Sequence, residues 1–236
     1  MLHIGDNPIK TLKNKNCKLV QTYVCRHSKM TKEEKYLYDN RVAINNASRV
    51  IDAINLPISL KNDKVDADII GAIILDELQR KGFDDSVQDL SAKFIHFYEG
   101  VFENVERWLL SNIFKDIEDM SLGSAQIKPN VVYDLVTNGF IEKPSNWEED
   151  KLDITINWLL DPHKSAELVG ARIEQTIVHW AKGKVDISNR PEILGTLYSL
   201  GLTGRSGVHD KPNSNSRGDN IGNDLREKAK KILSCP

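Results

Sequence analysis

Asp66-Ala67-Asp68-Ile69-Ile70-Gly71-Ala72-Ile73-Ile74-Leu75-Asp76-Glu77-Leu78-Gln79-Arg80-Lys81-Gly82 is the stretch on which the fold turns. Ile69, Ile70, Ile73, Ile74 and Leu75 leave a helix over 66–82 apolar on most of its circumference, and such a helix belongs in the middle of a domain. The run Ile69–Leu75 is the longest apolar one in the chain and is too short to cross a bilayer. A central helix needs others around it, and the periodicity supplies them. Leu37, Ile44, Ala47, Val50, Ile51 and Ile54 recur at three- and four-residue steps, and Thr31 with Glu34 forms a capping box, so a helix is expected from Thr31 to about Asn55, closed before Pro57. Further helices are expected at 87–94, 97–117, 130–138, 150–160, 163–182, 189–200 and 222–233. The segment 201–221, rich in Gly, Asn, Ser and Asp, reads as a loop. Strand signals are nearly absent, so the fold class is mainly α.

The 236 residues suit one core with an appended arm, and 40% hydrophobic with 28% charged residues is globular usage. Residues 1–30 show no sustained period and read as an irregular basic arm, leaving 31–236 as the folded domain. The formal charge of −2 excludes a global field for nucleic acid, although residues 10–35 carry +6. That patch is either a solvated lysine-rich surface or a contact for an anionic polymer. A DNA-binding function is the less favoured class, so the expectation is no nucleic acid and no transmembrane segment. The N-terminus lacks the apolar stretch of a Sec signal peptide. Three cysteines do not make a disulfide framework; Cys17 and Cys25 could pair in an oxidising compartment, leaving Cys235 free, or stay reduced. Together with His27 they lack the two close ligand pairs of a structural zinc site, and neither a metal nor a cofactor is expected.

Three places offer chemistry. Glu77 follows Ile74 by three residues and Ile70 by seven, so an apolar helix face presents a carboxyl. Such surroundings, and the negative end of the helix dipole, favour the protonated form that a general acid needs. Alternatively Glu77 turns to the helix edge and pairs with Arg80 or Lys81. Ser121-Leu122-Gly123-Ser124-Ala125-Gln126-Ile127-Lys128-Pro129 combines small residues with an amide and can line a groove or simply lead into a helix. Pro191 to Gly201 makes a helix with Tyr198 in its last turn, where the hydroxyl emerges into a cleft or is satisfied in the core.

In this order the pieces resemble the lysozyme-like superfamily, nearest to lytic transglycosylases and goose-type lysozymes. Asp68 to Glu77 looks like their catalytic helix. Gly123-Ser124-Ala125-Gln126-Ile127-Lys128-Pro129 looks like their Gly-x-x-Gln-Ile-x-Pro loop. Gly170-Ala171-Arg172 and Leu197-Tyr198-Ser199-Leu200-Gly201 stand where the family has Gly-Ala-x-x-Leu and Tyr-Asn-x-Gly. The likeness spans about 65–204. It departs at Leu78, where the family commonly has Ser, and at Ser199, where it has Asn. The 49 residues from Glu77 to Gln126 are roughly twice the family spacing because of an insertion at about 83–120, acidic and better read as a solvated face than as a calcium site.

The resemblance implies a lysozyme-like helical domain with a short or vestigial β region. It implies cleavage of the β-1,4 bond between N-acetylmuramic acid and N-acetylglucosamine in peptidoglycan strands. Glu77 would be the acid, Tyr198 would bond to its carboxyl, and Ser121, Gly123, Gln126 and Ile127 would line the sugar subsites. A lytic transglycosylase needs no second carboxylate, whereas a muramidase would recruit one, with Asp84, Asp85 and Asp119 as candidates. Without a Sec signal, the chain is expected either to stay in the cytoplasm or to reach the periplasm or wall by a non-Sec route, through a secretion apparatus, by lysis or as a fragment of a longer precursor. An effector so delivered would meet a cognate immunity protein. The alternative is a non-catalytic helical module that binds glycan or protein. Arg217-Gly218-Asp219 carries no role in either reading.

Overall fold

The computed structural model describes Cys25 and residues 29–51, 63–80 and 121–236. The expected helices at 87–94 and 97–117, the insertion at 83–120 with Asp84, Asp85 and Asp119, Cys17, and nearly all of the basic arm lie outside the described residues. Within them the chain is mainly helical, and strand is confined to a two-residue ladder and one isolated bridge.

The first helix, α1 (Lys32–Asp39), begins with the expected capping box: Thr31 Oγ1 accepts from the Glu34 amide at 3.2 Å, and Glu34 Oε2 accepts from the Thr31 amide at 3.0 Å. The helix does not continue to Asn55. It breaks at Asn40, whose φ is −103° and ψ 14°, resumes as α2 (Arg41–Asn46) and gives way to a strand, β1 (Arg49–Val50). Asn40 Nδ2 donates to the Tyr36 carbonyl at 2.8 Å, a side-chain bond that offers the backbone an alternative to helix. The pair Asn45-Asn46 then supplies poor helix formers, and Val50-Ile51 β-branched ones. β1 pairs antiparallel with β2 (Lys64–Val65), with Arg49 opposite Val65 and Val50 opposite Lys64.

The central helix α3 spans Ala67–Arg80, and every residue from Ile69 to Asp76 is buried. Against it lie α1, α6 (Pro162–Lys182) and α9 (Arg226–Leu233). Gly71 permits the approach of α9, since a Cβ there would stand 3.1 Å from Ala229 Cβ and 3.2 Å from Leu233 Cδ1. Between these elements run α4 (Pro129–Thr137), α5 (Trp147–Leu160) and α7 (Pro191–Leu200), near the expected bounds.

The tail corrects two expectations. Helix starts within the glycine-containing segment: α8 (Ser216–Asn220) leads through a π-helical turn at Ile221–Leu225 into α9. Asn215 Oδ1 caps it by accepting from the Gly218 amide at 2.8 Å. Gly218 is present for close contact, since a Cβ would sit 1.9 Å from Thr196 Oγ1 and 2.3 Å from the Glu192 carbonyl oxygen. The disulfide joins Cys25 to Cys235, 210 residues apart, and not Cys17 to Cys25. The tail is brought there by polar grips on its backbone. Asn45 Nδ2 donates to the Leu233 carbonyl, Arg41 Nε to that of Cys235, and Arg41 Nη2 to that of Pro236. Among the described residues no helix is long and apolar enough to cross a membrane, and no three His, Cys, Asp or Glu side chains gather as a metal site.

Candidate functional site

Glu77 stands in the last turn of α3 with a side chain 12% exposed, next to Asp76, which is buried. Successive helix residues point about 100° apart, so one guanidinium can reach both only from the seam between them. Arg217 of α8 does this: its Nη2 donates to Glu77 Oε1 at 2.6 Å and its Nε to Asp76 Oδ2 at 2.7 Å. The partner of Glu77 is therefore Arg217, not Arg80. Burial nevertheless raises the Glu77 pKa from its ordinary value: desolvation outweighs Arg217, which pulls the other way, and the charge of Asp76 adds to the rise. Burial also works against the charge of Arg217, but the two carboxylates overcome it and hold the guanidinium firmly protonated.

The loop ahead of α4 closes on itself. The Leu122 amide donates to the Ile127 carbonyl at 3.0 Å, and Gln126 adopts a left-handed φ of 50°. Gln126 Nε2 donates to the Gly123 carbonyl at 2.9 Å, so the donor half of the amide serves the turn, while its oxygen has no partner among the described residues. Gly123 and Ile127 are buried and shape the turn instead of facing a groove; Ser121 and Gln126 keep part of their surface.

Tyr198, in the last turn of α7, packs the other side of this loop. Its hydroxyl donates to the Ala125 carbonyl at 2.8 Å, so its proton does not go to Glu77, and orienting the acid falls to Arg217. Burial raises the phenol's pKa well above its usual value, with the Glu77 charge second, so Tyr198 is a neutral donor. Arg172 of α6 and Arg217 both lie close enough for their charges to oppose that rise. Glu77, the 121–128 loop and Tyr198, far apart in sequence, thus come together on one side of α3. Two cations join them that sequence reasoning left without a role. The pair Asp76-Glu77 at the end of an apolar helix was a signal that a basic partner was needed; nothing in the spacing pointed to position 217.

No family model matches the chain, and neither a curated protein nor a solved structure does so.

Proposed function

We propose that the protein is a peptidoglycan-cleaving glycosidase of lysozyme-like type, acting on the β-1,4 bond between N-acetylmuramic acid and N-acetylglucosamine. The observation that carries this reading is Glu77, a largely buried carboxyl with a raised proton affinity beside a Tyr-anchored loop. Arg217 engages Oε1, which leaves Oε2 to hold the acid proton. Glu77 protonates the glycosidic oxygen as the bond to the anomeric carbon breaks, a contribution on the order of 10² to 10⁴ in rate. The carboxylate so formed then takes the proton of the incoming nucleophile. In a lytic transglycosylase that nucleophile is the muramyl 6-hydroxyl, which closes a 1,6-anhydro ring; in a muramidase it is water. Asp76 is a poor second carboxylate, because it is buried and held by Arg217, and this favours the one-acid route.

Mass spectrometry of digested muropeptides tests the proposal. Anhydro ends indicate a lyase and reducing ends a hydrolase, with both lost in Glu77→Gln. Equal clearing of cell walls by wild type and Glu77→Gln would remove Glu77 from the mechanism. An antibacterial effector role predicts that periplasmic expression is toxic and that Glu77→Gln relieves the toxicity. One observation favours a second reading, a non-catalytic glycan- or protein-binding module: Arg217 already occupies Glu77, as a structural ion pair would. Intact glycan after incubation, with wild type retained on insoluble peptidoglycan, supports that reading.

A further inference from the structure

Arg172 differs from the other part-buried arginines in how little it meets. Arg49 meets Glu174, Arg217 meets Asp76 and Glu77, Arg226 lies against Asp68, and Arg41 spends its N–H groups on the Tyr38, Cys235 and Pro236 carbonyls, whereas Arg172 has a single acceptor and no carboxylate among the described residues. Its Nη1 donates to the neutral Gln175 Oε1 at 2.6 Å; Gln175 Nε2 donates to Asp134 Oδ2 at 2.7 Å, and Asp134 Oδ1 accepts from Asn138 Nδ2 at 2.7 Å. The compensating charge thus arrives through an amide. This orients the guanidinium firmly while leaving much of its desolvation uncompensated, a costly arrangement for a purely structural cation. Burial accordingly pulls its pKa down, with Tyr198 and Asp134 acting in the opposite sense.

The remaining edge of the guanidinium is the informative one. Nε and Nη2 have no protein partner among the described residues, and Arg172 keeps part of its surface exposed. Two parallel N–H groups in that relation match the two oxygens of a carboxylate. The helix α6 that carries Arg172 packs against both α3 and α7, and Tyr198 feels the charges of Arg172 and Glu77 alike, so the fork lies on the same side of the fold as Glu77.

We infer that Arg172 is a specificity-determining residue whose Nε/Nη2 edge binds a carboxylate borne by the glycan, on the lactyl group or on the peptide stem. This rests on the glycosidase reading and narrows its substrate to acidic strands. A neutral polymer of N-acetylglucosamine offers the same ring chemistry without the anion.

The test compares three substrates: intact peptidoglycan, strands stripped of peptide and therefore bearing free lactyl carboxylates, and chitin oligosaccharides, which bear none. Losing a charge-assisted bidentate contact is worth about 10- to 100-fold. In Arg172→Gln the ratio of kcat/KM on peptidoglycan to that on chitin oligosaccharides should fall by about that factor, mainly through KM. Arg172→Lys, keeping the charge without the fork, should fall between and covers the case in which the Gln variant does not fold. In intact strands the lactyl carboxyl is consumed in the amide to the stem, so a loss confined to stripped strands assigns the lactyl carboxylate, a loss on intact material alone assigns a stem carboxylate, and a loss on both shows that the fork takes either. Ratios to chitin unchanged on both acidic substrates, or a fall in kcat at constant KM, overturn the inference and leave Arg172 a structural residue. If wild type cleaves no glycan, the glycosidase reading fails on its own. Sedimentation then decides: retention on peptidoglycan but not on chitin, lost in Arg172→Gln, upholds the anion contact, and equal retention of both proteins refutes it.

Discussion

Tyr198 donates its phenolic proton to the Ala125 carbonyl at 2.8 Å, across 73 residues of sequence, and so fixes the loop that carries Gln126 against the end of α7. Tyr198→Phe keeps the ring and deletes the donor. An orphaned carbonyl costs about 1–3 kcal/mol, so the melting temperature should drop by several degrees in a thermal scan. Activity should fall through loop displacement, while the pH profile, set by Glu77, keeps its shape. A variant as stable as wild type would show that the loop is held by other means.

Gly123 and Gly139 separate steric from conformational demands. Both have positive φ, 70° and 76°, but a Cβ on Gly123 would lie 1.8 Å from the Leu159 carbonyl oxygen, whereas one on Gly139 meets nothing within 4 Å. Gly139→Ala should cost about 1–2 kcal/mol, the left-handed penalty alone. Gly123→Ala should cost distinctly more and push the loop away from α5. Equal denaturation midpoints for the two variants would contradict this packing.

Arg217 holds two carboxylates, Asp76 buried and Glu77 nearly so. Its replacement by Gln strands both, and chemical denaturation should report a loss of about 3–5 kcal/mol. Because Arg217 lowers the pKa of Glu77, its removal should also move the alkaline limb of the kcat/KM profile to higher pH. Movement in the other direction would mean that another group is the acid.

Stability carries the same signature without any substrate. Glu77 binds its proton more tightly in the folded chain than in the unfolded one, so its contribution is complete below the ordinary carboxylate range and is lost as pH rises through the folded value. Glu77→Gln has no such loss. In urea titrations from about pH 4 to pH 8, the stability of this variant relative to wild type should therefore rise with pH from the usual carboxylate range upward. A flat difference would mean that the carboxyl is not perturbed.

Alkylation in denaturant without reductant should leave Cys25 and Cys235 unmodified, and prior reduction should make both reactive. A cross-link closing 210 residues restricts the unfolded chain strongly, with a chain-entropy limit of about 5 kcal/mol and a common yield of 2–4. Cys235→Ser should accordingly melt well below the oxidised wild type. Coincident melting of the two would refute the bridge.

Much of this arrangement was legible in local pattern. The apolar circumference of 69–75 identified the central helix, and the capping box at Thr31 and the proline at 191 located helix starts. The heptad offset of Glu77 from Ile70 placed its carboxyl on the buried face. What escaped is what local pattern does not encode. Apolar spacing ran on through Asn40, whose side-chain amide competes with the helix, and past Asn46 to Arg49 and Val50, whose backbone is captured by the partner strand at Lys64 and Val65. Gly218 looked like a breaker because its purpose, room for Thr196, appears only in three dimensions. Arg217, 140 residues from Glu77, could be paired with it only by the fold, as could Cys25 with Cys235.

The late position of α8 and α9 in the chain has a consequence for biosynthesis. At about 5–20 residues per second, roughly 7 to 30 s separate translation of the isoleucine helix from that of the segment that covers it and neutralises its acids. Throughout that interval a sticky surface and two uncompensated charges sit on a nascent polypeptide. The isoleucine helix therefore waits for α8 and α9 before its apolar face and its acids are covered, and the growing chain is open to chaperone binding throughout that wait.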